Sequence, residues 1–212
     1  MTIAKTARDK DRVYFYLETA EPIKEDALPG LRLALDLDDD LTTGWRGAEL
    51  LIGETYNPDG AVVAREYDPS AAEEARREIR NLTASYELEA TTEVERLVDR
   101  QTQPYATPEQ NAALDVLDAQ EATKSPVRAK VEALKETART WKSGAPRSGA
   151  RWRLNDNKLI ISVPTEFFSS PALPAVSFKW LDNLPASPSP ADLYDQGDVA
   201  PEASFFYRVE LE

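Results

Sequence analysis

Four carboxylates crowd into five positions at Asp36, Asp38, Asp39 and Asp40. Carboxylates at alternate positions of a turn can converge on a hard cation at about 2.3–2.6 Å, so calcium is the ion this stretch would take. The EF-hand pattern does not fit. With Asp36 as position 1, positions 6 and 12 are Leu41 and Gly47, where Gly and Glu are required. A calcium site of another kind would draw on Asp36, Asp38 and Asp40, with Glu49 or Asp198 as remote ligands. The competing reading is a solvated turn whose carboxylates accept backbone N–H groups. Trp45 and Arg46 follow in the same turn. The apolar face of an aromatic ring matches the C–H face of a pyranose, while neighbouring polar groups bond its hydroxyls. Trp45 with Arg46 is the first carbohydrate-binding candidate, joined by Tyr14, Tyr16 and Tyr56. The alternative for Trp45 is a plug over one end of the core.

Much other chemistry is excluded. Cysteine and histidine are both absent, which removes disulfides, thiolate nucleophiles, zinc–thiolate sites and Ser-His-Asp triads. No nucleophile elbow, phosphate loop or dinucleotide fingerprint occurs. A glycosidase would need two positioned carboxyl groups, and 38 acids offer too many pairs to single one out. The net charge of −13 repels phosphate backbones and anionic bilayers, so neither nucleic acid nor a membrane is an expected partner. No apolar run approaches the roughly 20 residues that span a bilayer. The opening MTIAKTARDKDR lacks an apolar leader segment, so no signal peptide is expected within the chain.

The acidic turn needs elements to hold it. Leu31–Gly53 reads as strand, turn and strand: Leu31, Leu33, Leu35 and Leu37 alternate with Arg32, Ala34, Asp36 and Asp38, the period of a half-buried strand. Val13–Thr19 alternates in the same way, with Val13, Phe15 and Leu17 on one side. Further strands are expected at Thr2–Arg8, Ala61–Tyr67, Arg151–Leu154, Lys158–Val163, Val176–Leu181 and Ser204–Leu211. The middle differs. From Asp68 to about Lys142 the chain is rich in Ala, Glu, Arg and Leu and has no Gly. Asp68-Pro69, Thr107 and Ser125-Pro126 are helix starts, and Ser143-Gly144-Ala145-Pro146 is a helix end. Val127, Val131, Leu134, Ala138 and Trp141 make an apolar stripe at helical spacing.

The expected fold is therefore mainly β with an α insertion. It is an antiparallel β-sandwich, immunoglobulin- or jelly-roll-like, built from residues 1–67 and 151–212, with a helical hairpin or bundle at 68–150 looped out. Charge follows the same division. Residues 68–150 hold 15 acids and 12 bases, and the flanks hold 23 acids and 13 bases.

Three patches of the flanks, VYFYLETAEPI (Val13–Ile23), LALDLDDDLTTGWRGAELLIG (Leu33–Gly53) and VSFKWLDNLP with DLYDQGDVAPEASFFYRVEL (Val176–Pro185, Asp192–Leu211), share an order and a D-x-D…T-G-W-x-G turn. In these the chain resembles family 9 carbohydrate-binding-module-like domains, relatives of DOMON-type sandwiches found in bacterial polysaccharide-processing proteins. The resemblance implies two antiparallel sheets and a non-catalytic, glycan-associated role, as one part of a larger extracellular or cell-surface protein. The expected partner is then a polysaccharide or oligosaccharide, with further domains of the same polypeptide beside it. Calcium is the one cofactor considered, and none is required. The alternatives are a structural or protein-interaction domain that docks through its helices, and a hydrolase using two carboxylates.

Overall fold

The computed structural model describes residues 3–40, 42–86, 108–168, 175–185, 188–189, 192, 198–200 and 206–210, with 108–118 and 198–199 described by backbone alone. The fold is a β-rich α+β arrangement that divides into two compact units. One comprises Met1–Pro69 and Arg139–Glu212, the other Ser70–Ala138.

In the first unit the strands form two antiparallel sheets. The smaller has the order β1 (Ile3–Arg8), β2 (Arg12–Glu18), β8 (Lys158–Pro164), β7 (Arg151–Asn155). The larger runs β10 (Asp198–Ala200), β9 (Ala175–Asp182), β3 (Arg32–Asp36), β4 (Leu50–Tyr56), β5 (Val62–Tyr67), β6 (Ser143–Arg147). β11 (Tyr207–Glu210) pairs with an earlier stretch of β9 than β10 does.

Period-2 alternation assembles the core. Val13, Phe15 and Leu17 of β2 and Leu159, Ile161 and Val163 of β8 project from one sheet. Leu33 and Leu35 of β3, Leu50 and Ile52 of β4, and Val176, Phe178 and Trp180 of β9 project from the other into the same cluster. Phe15 meets Phe178 edge-on with ring centroids 5.2 Å apart, so the sheets touch directly.

Three expectations change. β3 was expected to be half-buried, but all five of its residues are buried. The face opposite the leucines lies in a second cluster of Ala34, Trp45, Ala48, Leu51, Trp141, Leu181 and Leu184. Ser143–Arg147 is an edge strand on β5 and not a helix end. An edge tolerates Pro146 because only one side of the strand must donate to a ladder. The helix start expected at Ser125-Pro126 lies inside one long helix, since a single proline removes one i→i−4 bond and can bend a helix without ending it.

The second unit holds α1 (Ser70–Ser85) and α2 (Pro108–Arg139), whose last residue belongs to the first unit. Lys130 and Glu78 pair at 2.5 Å between the two helices. The apolar positions expected at Val94, Leu97 and Val98, and the cap at Thr107, lie outside the described residues. Among the described residues no helix is long and apolar enough to cross a membrane.

Phe15 is fully buried at the sheet-to-sheet contact. Truncation to Ala should cost about 3–5 kcal/mol, read as a lower denaturant midpoint in equilibrium unfolding. A cost below about 1 kcal/mol would mean that the two sheets do not share this core.

Candidate functional site

The acidic turn is built around Asp36, the last residue of β3. Asp36 is 2% exposed, and its Oδ1 accepts the backbone N–H groups of Asp38 at 3.1 Å and Asp39 at 2.7 Å. These two bonds fold the chain back on itself as an Asx turn, with Asp39 at φ 59°. The other oxygen, Oδ2, is buried and has no hydrogen-bond partner. Burial above all, helped by the carboxylates of Glu49 and Asp38, pushes the Asp36 carboxyl up to about 6 against the pull of the two N–H groups.

Glu49 enters from the far side of the turn. Its Oε2 accepts the Leu37 N–H at 2.9 Å and its Oε1 accepts the Thr43 hydroxyl at 2.7 Å. The Thr43 hydroxyl also lies 3.2 Å from both oxygens of Asp38 and 2.9 Å from the Asp40 carbonyl, so its single proton has several acceptors within reach, Glu49 the nearest. Gly44 makes room for this. It has φ 60°, and a Cβ there would stand 2.3 Å from Glu49 Oε1. The result is that one carboxylate oxygen from each of Asp36, Asp38 and Glu49 lies within 4.8 Å of the other two.

Of the other acids considered in sequence, Asp40 is used locally, accepting the Thr42 N–H at 2.9 Å and hydroxyl at 2.6 Å. The Asp198 side chain lies outside the described residues. Asp39, which sequence reading gave no role, is held by Arg208 of β11 at 2.9 and 3.2 Å.

The aromatic candidates separate into three places. Trp45 is 5% exposed; its Nε1 donates to the Arg139 carbonyl at 2.6 Å and its ring meets Trp141 edge-on at 5.8 Å. It is thus the plug of the second cluster, and an open stacking platform at Trp45 is not what the fold builds. Arg46 adopts φ 54° in the turn and stands near Lys179. Tyr14 and Tyr16 lie on the opposite face of β2 from Phe15. Tyr14 donates to Asp9 at 2.6 Å and Tyr16 to Glu18, so each hydroxyl has a local carboxylate. Tyr56 faces inward, and its hydroxyl donates to the Leu31 carbonyl; burial pushes its pKa up. Gly53 permits that bond, because a Cβ at its φ of 115° would stand 2.7 Å from the Tyr56 hydroxyl oxygen.

Tyr56 has a partner that sequence reading left unassigned. Trp152 of β7 meets it edge-on at 5.3 Å, and the Trp152 Nε1 donates to the Asn57 carbonyl at 2.9 Å. Trp152 lines two adjoining cavities of about 460 and 420 Å³ that share Glu25, Pro58 and Trp152. One continues over Arg153, Leu154 and Asp156, the other over Glu54 and Tyr56. Three backbone segments frame this groove: the 3₁₀ turn Glu25–Gly30, the turn at Asn57–Gly60, and the β7–β8 hairpin. The sequence signal was a Trp alternating with arginines on a short strand, Arg151-Trp152-Arg153, which marks an aromatic at a sheet edge but not the wall opposite it.

Comparison of the chain with protein-family models, with characterised proteins and with solved structures finds no match.

Lys179 gives the second cluster an electrostatic signature. It pairs with Ala34 in register, is 5% exposed, and stands over the Phe206 ring at 4.9 Å. Burial, then the nearby Arg46 charge, pushes its ammonium down to about 8 from an ordinary 10.5. The unfolded chain binds a proton there between pH 8 and 10.5 that the folded chain has lost, so this group makes folding more favourable as pH rises through that window. Lys179→Met should therefore abolish the rise in stability between pH 8 and 10.5. Chemical denaturation across that range reads the effect, and a Met variant that keeps the rise would contradict the assignment.

Proposed function

We propose that this chain is a non-catalytic carbohydrate-binding module and that its binding site is the groove around Trp152. The observation that carries the reading is the pair of adjoining cavities sharing one indole wall. Trp152 is fixed by its bond to Asn57 and by Tyr56 at its edge, so little ordering is needed when a sugar ring stacks on it. Glu25, Glu54 and Asp156 offer acceptors for vicinal hydroxyls, and Arg153 offers donors. Three carboxylates along the groove disfavour a uronate or sulfated chain, so the favoured ligand is a neutral oligosaccharide. In this reading the two sheets form a sandwich of the carbohydrate-binding-module type that the flanking patches resemble. The module is then an accessory part of a larger exported glycan-processing protein.

Affinity electrophoresis through gels cast with neutral polysaccharides tests the reading. The chain should be retarded by at least one of them, and Trp152→Ala should weaken that retardation about tenfold or more, whereas Trp45→Phe should leave it unchanged. Equal mobility in every gel would overturn the proposal, as would retardation indifferent to Trp152.

A further inference from the structure

We infer that the turn between β3 and β4 is a calcium site whose protein ligands are Asp36, Asp38 and Glu49. The inference is independent of the glycan reading. It rests on two observations.

The first is spacing. Two oxygens bound to one calcium at about 2.4 Å can be no more than about 4.8 Å apart. One oxygen each from Asp36, Asp38 and Glu49 satisfies that limit for all three pairs. Magnesium, at about 2.0–2.1 Å, demands near-octahedral angles, which is harder to meet in a turn already fixed by hydrogen bonds.

The second is the buried oxygen. Asp36 is 98% removed from solvent (2% exposed), and its Oδ2 lacks any hydrogen-bond partner although Oδ1 has two. A carboxylate oxygen left without a donor in the interior loses its hydration and gains nothing in return. Here the neighbours of that carboxylate are two more carboxylates, the exposed Asp38 and the part-buried Glu49, so negative charge gathers beside a buried oxygen that has no donor. A divalent cation supplies the missing partner and neutralises the cluster in one step. Asp39 is paired with Arg208 instead, and Asp40 accepts from Thr42.

The local framework is consistent with a preformed cradle. The Thr43 hydroxyl donates to Glu49 and lies beside Asp38, and Gly44 keeps the space beside Glu49 Oε1 clear. Coordination by three carboxylates, completed by water, places the affinity at about 10⁻⁵–10⁻³ M.

The test is a calcium titration of the full chain, first stripped with chelator, by isothermal calorimetry and by thermal melting. The inference predicts one saturable site in that range and a melting temperature higher by about 5–10 °C at a hundredfold excess of calcium over Kd. Asp38→Asn alters an exposed side chain and should leave the fold intact by circular dichroism while weakening calcium at least tenfold. Asp36→Asn keeps the acceptor for the Asp38 and Asp39 amides and should abolish the calcium response. If it fails to fold, Asp38→Asn and Glu49→Gln carry the test. No calorimetric binding and no thermal shift in the stripped wild-type chain would overturn the inference. So would binding that survives Asp38→Asn and Glu49→Gln unchanged.

Discussion

Burial of β3 on both faces is the constraint from which the rest of the β unit follows. Its leucines, Leu33 and Leu35, join the cluster between the sheets, and Ala34 behind them lies in the cluster capped by Trp45 and Trp141. A strand buried on both sides cannot slip register without driving polar groups into one cluster or the other. Its pairing with β4 and β9 is therefore tightly specified, and both ends of the strand are held in place. The cost appears at its polar members. Arg32, Asp36 and the neighbouring Lys179 are all buried, and burial shifts each of them toward its neutral form.

The groove and the acidic turn sit at the two ends of this strand. Leu31, just before it, accepts the Tyr56 hydroxyl and so fixes the ring that backs Trp152. Asp36, at its far end, nucleates the acidic turn through two backbone amides. Five residues of strand span about 16 Å, so the groove and the turn are separate sites on one rigid element. Each end also depends on a glycine at positive φ. Gly53 admits the Tyr56 hydroxyl and Gly44 admits the Glu49 carboxylate. Backbone freedom is thus used where a side chain must pass close to another strand, and the strand itself stays regular.

Sequence alternation was enough to locate β2, β8, β9 and the β3–turn–β4 unit, because each has one face that is continuously apolar. It could not show that the second face of β3 is covered as well, because the cover comes from Trp141, Leu181 and Leu184, far away in the chain. For the same reason the sequence left Trp45 between a sugar-stacking platform and a plug over the core. Local composition also hid β6, since Ser-Gly-Ala-Pro is turn-forming and becomes a strand only because β5 offers it an edge. In the acidic turn, four aspartates look alike in sequence. What separates them is which backbone amides and hydroxyls each can reach, and that depends on Thr43, Gly44 and Arg208. Trp152 acquires significance only when the Asn57–Gly60 turn and Tyr56 are folded against it.

The β unit depends on β3 being enclosed from both sides. Amide hydrogen exchange measured residue by residue addresses that directly. The amides of Leu33, Ala34 and Leu35 should exchange only through complete unfolding of the β unit, with the opening free energy of that global event, while the edge strand β1 exchanges through smaller openings. If the β3 amides instead exchange as readily as those of β1, the strand is not the buried centre of this fold, and neither the turn nor the groove is held as described.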